Sequence, residues 1–240
     1  MSQTSLSTQN RLLAALPDED YQRLAAHLEP TLLPSGRILY EIGQPIEQVY
    51  FLNKGMISLV LTAEDGSMVE AGVVGREGMA GTPVIWESST SNHRAIVQLP
   101  GNALSLPTAL LKKEFERGEV LQNLLLRYTQ GLFTQASQSA VCNAKHTIER
   151  RLARWLLMTQ DHAQADVFPL TQEFISHMLG VRRAGVTVAA GGLQRAGLIR
   201  YSRGKITVLN RDSLQDASCE CYRVVKTEFE RLFGLEGIGD

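Results

Sequence analysis

The hydrophobic period of this chain changes once, near Pro107, and that change limits what the chain can fold into. Before it, from about Leu32 to Leu106, apolar residues recur at every second position: Ile57, Leu59 and Leu61 alternate with Ser58, Val60 and Thr62. A period of two belongs to strands, whose side chains point alternately to opposite faces. Asn53-Lys54-Gly55, Glu64-Asp65-Gly66, Gly75, Gly78, Gly81 and Pro100-Gly101 punctuate the region as turns. Many short strands with regular turns predict a small barrel or roll.

Beyond Pro107 the turns vanish. A helical pattern runs from about Glu119 to Asn143, with Leu121, Leu125, Tyr128, Leu132, Gln135, Ser139 and Cys142 spaced alternately four and three apart. That spacing forms one coiled-coil-like stripe, read here as a seam between two copies of the chain. A second helix, "TIERRLARWLLM" from Thr147, leads through a polar loop at 161–166 to "LTQEFISHMLGVRRAGVTVAAGGLQRAGLIR". There Thr171 can cap a helix with Phe174, Ile175, Met178 and Leu179 inward, and Gly180 supplies the turn. The next helix starts near Arg182 with Val186, Ala189 and Leu193 inward, which leaves Arg183, Thr187 and Ala190 on the opposite face. Two helices joined in this way make a helix-turn-helix pattern. "AGLIRYSRGKITVLN" then gives two short β runs around Arg203-Gly204-Lys205, a wing with a basic tip. At the chain's ends, Pro17 and Asp18 start a short helix with Tyr21, Leu24 and Leu28 on one face. Tyr222, Val225, Phe229 and Leu232 form an apolar stripe on a C-terminal helix that packs back on the protein or extends the contact between copies.

A chain of 240 residues, 44% hydrophobic and 20% charged, has room for one or two cores. It contains no run of about 18 apolar residues, and "MSQTSLSTQNRLLAALP" lacks the basic start and apolar core of an export signal. A cytoplasmic protein without a membrane partner is expected. Cys142, Cys219 and Cys221 are too few for a disulfide framework. Cys219 and Cys221 lie two apart on the predicted C-terminal helix, hence on different faces, and are read as inert. The net charge is −1, yet 180–211 carries Arg182, Arg183, Arg195, Arg200, Arg203, Lys205 and Arg211 with no acidic residue. A local basic face is what a phosphate backbone requires.

From the "LPDEDYQRLAAHL" helix to the wing, about residues 15 to 212, the chain resembles the Crp/Fnr family of bacterial transcription regulators. The resemblance rests on "GQPIEQVYFLNKGMISLVL", "GREGMAG", the long helix, "TIERRLARWLL" and the helix-turn-helix stretch. It implies an α+β fold: a cyclic-nucleotide-binding-like β-roll with its N-terminal helix at 1–118, a dimerisation helix and hinge at 119–145, a winged helix-turn-helix at 146–212 and a helical tail at 213–240. It also implies a homodimer on double-stranded DNA, one recognition helix per half-site of a near-palindrome, with an effector in the roll and RNA polymerase as a further partner.

Two departures from the family pattern matter. Cyclic-AMP-binding members hold the ribose with a Gly-Glu pair and the cyclic phosphate with an Arg-Ser pair. Here the first pair reads Gly81-Thr82, and the second falls at His93-Arg94 with Ala95 following. The Thr-Ser pair that meets adenine across the dimer falls at Ala136 and Ser137. Gly81, Thr82, His93, Arg94 and Ser137 thus mark an effector pocket without its ribose carboxylate; cyclic AMP in the usual mode is not expected, and the effector stays unnamed. Three cysteines cannot supply the four ligands of an iron–sulfur centre, and His93 and His146 are read as ordinary histidines rather than haem ligands, so no metal or cofactor is expected.

The second departure is in the recognition helix, where Arg183, Ala184, Thr187 and Val188 are the base-reading candidates. Arg183 can pair bidentately with guanine O6 and N7, whereas Ala184 and Val188 offer only apolar contact. Thr171, Gln172, Arg182, Arg203 and Lys205 match family positions at or near phosphate, which set affinity and register. No nucleophile–base pair, metal-ligand spacing or "GxxxxGK" loop occurs, so no catalytic residue is expected. The competing reading is a ligand-responsive protein-interaction module without sequence-specific DNA binding.

Overall fold

The computed structural model describes residues 8–86, 88 and 90–233. The chain divides into two compact units, one of residues up to Leu59 together with Val73–Gln130, the other of Val60–Gly72 together with residues from Gly131 onward. In the first unit, α1 (Arg11–Ala14) and α2 (Asp18–Ala25) precede β1 (Glu29–Leu33), β2 (Ile38–Tyr40), β3 (Gln48–Thr62), β4 (Met68–Val74), β5 (Met79–Ala80), β6 (Arg94–Pro107) and α3 (Thr108–Phe115). The strands form an antiparallel sheet in the order β1-β6-β3-β4, with β2 on β6 and β5 on β3. This is the roll that the period of two predicted.

Two details differ from the sequence reading. The helix α1 was not foreseen; it is held by buried Asn10, whose Oδ1 accepts from the Leu13 N–H while its Nδ2 donates to the carbonyls of Leu52 and Gly78. Strict alternation along β3 also fails, because Ile57, Ser58, Leu59 and Val60 are all buried and only Leu61 and Thr62 emerge. Ser58 tolerates this because its hydroxyl donates to Gln98 Oε1 on β6 at 2.5 Å, which satisfies a group that would otherwise be costly to bury.

The long helix α4 (Val120–Lys145) runs from the first unit into the second. Its four-three stripe exists, but it does not face outward as a seam between copies would. Leu121, Leu125, Tyr128, Gln135 and Ser139 are buried, and Leu132 is half-buried. The Tyr128 ring lies over Gly78 and Gln135 lies over Gly72, so closely that a side-chain carbon on either glycine would collide with them. The predicted seam is therefore part of the chain's own packing. A different stripe, Leu126, Phe133 and Val141, is exposed, with Phe133 at 75%.

In the second unit, α5 (Ile148–Ala163) is buried continuously from Arg151 to Gln160. Thr147 caps its start, accepting from the Arg150 N–H, and Gln164 closes it in the left-handed conformation at φ 51°. Around it lie β7 (Val167–Pro169), α6 (Gln172–Leu179), α7 (Arg183–Arg195), β8 (Ile199–Ser202), β9 (Lys205–Val208), α8 (Arg211–Ala217) and α9 (Cys221–Leu232), with the strands in the order β7-β9-β8. Nothing in the sequence marks β7, which is three residues long and ends in a proline, too short to show any period. The tail does pack back: Tyr222, Val225 and Leu232 are buried, and Phe229 reaches Gly131 of α4. Residues 234–240 of the predicted tail lie outside the described residues. Cys219 falls in the turn before α9, not on the helix with Cys221, and both thiols are buried, which corrects the expectation that they face apart.

The turn between β3 and β4 belongs to the second unit, and there the Trp155 indole N–H of α5 donates to Glu70 Oε1 at 2.9 Å, both groups buried. Trp155→Phe keeps an aromatic ring and removes that donor. Losing one hydrogen bond to a buried carboxylate costs about 1–3 kcal/mol, so urea unfolding of the variant is expected to show a stability loss in that range; an unchanged midpoint would mean that the bond contributes nothing net.

Candidate nucleic-acid interface

The helix-turn-helix is built as its residues dictate. Thr171 caps α6, its hydroxyl oxygen accepting from the Phe174 N–H at 3.1 Å. Ile175, Met178 and Leu179 are buried and Phe174 is half-buried, with its ring 6.4 Å from that of Trp155. Gly180 ends the helix at φ 60°, ψ 43°, a left-handed conformation that glycine adopts without a Cβ penalty. Arg151 on α5 donates to the carbonyl of Leu179, which satisfies one of the last acceptors of α6. On α7, Val186, Ala189 and Leu193 are buried as expected. Ala190 is buried too, so it does not belong to the outward face. A Cβ on Gly192 would collide with Glu149, so a residue without a side chain lets α7 lie close against α5.

The outward face of α7 carries Arg183, Ala184, Thr187 and Val188, all exposed, with Val188 at 71%. The Thr187 hydroxyl donates to Gln172 Oε1 at 2.9 Å and bridges the two helices at that face. Arg182 is exposed at the N-cap of α7. Beyond it, the wing closes with Ser202 opposite Lys205, and Arg203 and Gly204 form a two-residue loop with φ of 50° and 72°. Positive φ at both loop positions is the signature of a type I′ turn, whose twist matches the flanking strands. Arg203 and Lys205 stand exposed at its tip, and among the described residues none of Arg182, Arg183, Arg203 and Lys205 is held in an ion pair. Arg211 is different: it donates to Asp161 Oδ1, Gln160 Oε1 and the Tyr222 hydroxyl, each at 2.7 Å, and belongs to the scaffold.

The structure gathers only part of the predicted effector pocket. In the first unit, Thr82 is buried and Gly81 adopts φ 111°, with Val49 so close that a Cβ would press on it. Buried Tyr40 links this loop to His93, its hydroxyl bonding to the backbone of Gly81 and lying 3.3 Å from His93 Nε2. With Nδ1 donating to Asn92 Oδ1 at 3.0 Å, Nε2 is left as the acceptor for Tyr40. Arg94 is engaged by Glu41, Nε to Oε2 at 2.8 Å, so its charge is already countered. Ser137, and Ala136 beside it, lie exposed on α4 in the second unit.

Residues 30–118 match the family profile described as the cyclic nucleotide-binding domain, and residues 150–217 that of the Crp-like helix-turn-helix domain. The chain is 26% identical to the global nitrogen regulator of Synechocystis sp., over 85% of this chain and 94% of that protein. The global nitrogen regulator of Nostoc sp. is 23% identical over 84% and 94%. Among solved structures, FixK2 from Bradyrhizobium japonicum matches with a TM-score of 0.68 at 18% identity, covering 80% of this chain and 98% of that one. The c-di-GMP-responsive global regulator CLP from Xanthomonas campestris matches at 0.66 and 15%, over 81% and 100%. These structural likenesses concern the fold alone. No helix among the described residues is long and apolar enough to cross a membrane.

Burial lowers the His93 pKa to about 4, against about 6.5 in an unfolded chain. Above pH 6.5 both states hold His93 neutral. Between 6.5 and 4 the unfolded chain takes up a proton that the folded chain refuses, so stability falls as pH falls, by about 2 kcal/mol at pH 5. His93→Gln is expected to remove that part of the difference between urea midpoints at pH 7 and pH 5; an identical pH dependence in both proteins would contradict the burial of a neutral ring.

Proposed function

The chain belongs to the Crp/Fnr family of transcription regulators, and from that premise we propose that it binds a near-palindromic site in double-stranded DNA as a homodimer, under an effector held in the β-roll. The observation that carries this reading is the outward face of α7 and the wing tip. Arg182, Arg183, Arg203 and Lys205 stand exposed and without ion pairs there, in a stretch without acidic residues. Arg183 reads guanine, and Ala184 and Val188 contact thymine methyls. Two apolar positions in place of polar ones reduce direct hydrogen-bond readout, so groove shape carries more of the specificity. Arg182, Arg203 and Lys205 hold phosphate, and Thr171 and Gln172 lie at the same edge. RNA polymerase is the further partner.

Duplex selection from a random pool tests this directly. The full-length protein is expected to enrich a near-palindrome that differs from the half-sites familiar in the family. Arg183→Ala relaxes preference at one position per half-site, a loss worth about 1–3 kcal/mol. Lys205→Ala instead weakens all sequences alike and flattens the log–log salt dependence by about one unit per lost contact. No enrichment at any salt concentration favours the interaction-module reading; a change in base preference for Lys205→Ala overturns its assignment to phosphate.

The dimer forms through the exposed stripe of α4, Leu126, Phe133 and Val141, because the stripe beside it is occupied by the chain's own packing. Small neighbours at Ala136, Ser137, Ala140 and Ala144 allow two such helices close approach. The effector is not cyclic AMP in the usual mode: no carboxylate stands at Thr82 to accept ribose hydroxyls, and Arg94 already faces Glu41. Phe133→Glu removes an apolar side chain from each copy and adds like charges. At about 1.5 kcal/mol or more per buried Phe, dimer dissociation is expected to rise at least about 100-fold, read by sedimentation; a variant that stays dimeric at the same concentration rules this stripe out as the interface.

A further inference from the structure

We propose that Cys142, His146, Cys219 and Cys221 form a Cys3His site for a zinc ion that clamps the end of α4 to the turn before α9. Their ligand atoms, three Sγ and one imidazole nitrogen, all lie within 4.8 Å of one another. Cys142 Sγ and Cys219 Sγ are 3.5 Å apart, as are Cys221 Sγ and His146 Nδ1. A tetrahedral zinc with bonds of about 2.3 Å to sulfur and 2.0–2.1 Å to nitrogen has ligand–ligand edges of about 3.4–3.8 Å. The four groups therefore already stand near the corners of such a tetrahedron, and closing it needs shifts of an ångström or less.

The local structure explains how residues 77 positions apart in sequence come to face one point. Cys142 lies near the end of α4 and His146 directly follows it, and the His146 N–H still donates to the Cys142 carbonyl at 3.1 Å, which keeps the two residues on one side. Cys219 precedes α9 and Cys221 opens the helix, and both thiols lie within the same 4.8 Å cluster as Cys142 and His146. All three cysteines are buried, and none forms a disulfide.

Two further features fit a metal. His146 presents Nδ1 to the sulfurs while Nε2 lies 3.2 Å from Glu220 Oε1. A carboxylate that accepts the far N–H of a histidine fixes the tautomer whose other nitrogen has a free lone pair, the usual arrangement behind a metal-bound imidazole. The charge around the site also fits. Arg151 and Arg154 are only 7% and 6% exposed, and the Nε of each has no hydrogen-bond partner among the described residues. Both interact electrostatically with Cys142. Three thiolates around a divalent cation carry a net charge of −1, which would offset buried guanidinium charge where neutral thiols cannot. Binding releases the three thiol protons to solvent; no electron is transferred. Gln138 Nε2, 3.2 Å from Cys221 Sγ, supplies a hydrogen bond to one of the sulfurs.

The test uses the full-length protein purified under reducing conditions without chelator. Elemental analysis is expected to find about one zinc per chain, falling to a trace in Cys142→Ser and in His146→Ala. His146 is at the edge of the cluster, so its variant keeps the test valid should Cys142→Ser fail to fold. After chelation, cobalt(II) is expected to give thiolate charge-transfer absorption and the intense visible bands of tetrahedral coordination. Zinc in excess is expected to raise the Tm of the chelated protein by about 10 °C. Trace metal in the wild type together with a featureless cobalt spectrum overturns the proposal. So does a Cys142–Cys219 disulfide in place of metal, metal retained in both variants, or a coloured protein with acid-labile sulfide. No DNA enters these measurements, so their outcome is independent of the operator reading.

Discussion

A buried carboxylate needs a donor, and the second unit is arranged around the way Glu70 finds one. Glu70 sits on the part of β4 that belongs to the second unit, and the Trp155 indole N–H meets it from α5, which is buried continuously from Arg151 to Gln160. A hydrogen bond to a buried carboxylate is worth more than an exposed ion pair at the surface. The bond therefore fixes the β3–β4 turn on α5. The same turn brings Val69 within 3.1 Å of where a Cβ would stand on Gly180, the residue between the two helices of the DNA-binding motif.

The DNA-facing surface depends on what is left out as much as on what is present. Exposed surface ion pairs contribute little to stability, so leaving Arg182, Arg183, Arg203 and Lys205 without carboxylates sacrifices little in the fold, and on the proposed reading it keeps four charges for phosphate and base. Arg211, in the same acid-free stretch, shows the other use of an arginine: three hydrogen bonds to α5 and α9 lock it into the scaffold. The wing tip makes a related compromise. A non-glycine residue at φ 50° is strained by about 1 kcal/mol or more, and Arg203 holds that position in the protein where Asn or Gly is the common choice. If the wing lies along a phosphate backbone as proposed, a cation at its tip is a physical reason for tolerating the strain.

How much of this was legible in the sequence follows from the range of each signal. The roll, the long helix and the helix-turn-helix come from periodicity and capping, which are local, and Thr171, Gly180, Val186 and Leu193 do what their positions imply. A period locates a stripe on a helix without saying what covers it. Leu121, Leu125 and Tyr128 are buried, Tyr128 over Gly78, and Phe133 on the neighbouring stripe is left bare. Ala190 was misjudged for a related reason, since a small residue fits either face. The cysteines were misread because an assumed helix through Cys219 sent its thiol the wrong way. No spacing rule links a Cys and His at the end of one helix to two cysteines some 75 residues later; only the fold brings them together.

The break between α4 and α5 is where these features meet. His146 lies in it, Thr147 caps the next helix, and Arg150 and Arg151 begin the layer that carries α6 and α7. Both ends of this break are held by side chains rather than by a continuous helix, so rotation there is limited by contacts and not by backbone hydrogen bonds. Moving a two-state equilibrium from 1:99 to 99:1 takes about 5.5 kcal/mol of differential binding. That is the scale of one metal clamp or one well-filled ligand pocket, and far below the cost of unravelling either helix. On the proposed reading, a zinc ion on Cys142 and His146 would tie one side of this break, while Arg151 ties the other to the Leu179 carbonyl.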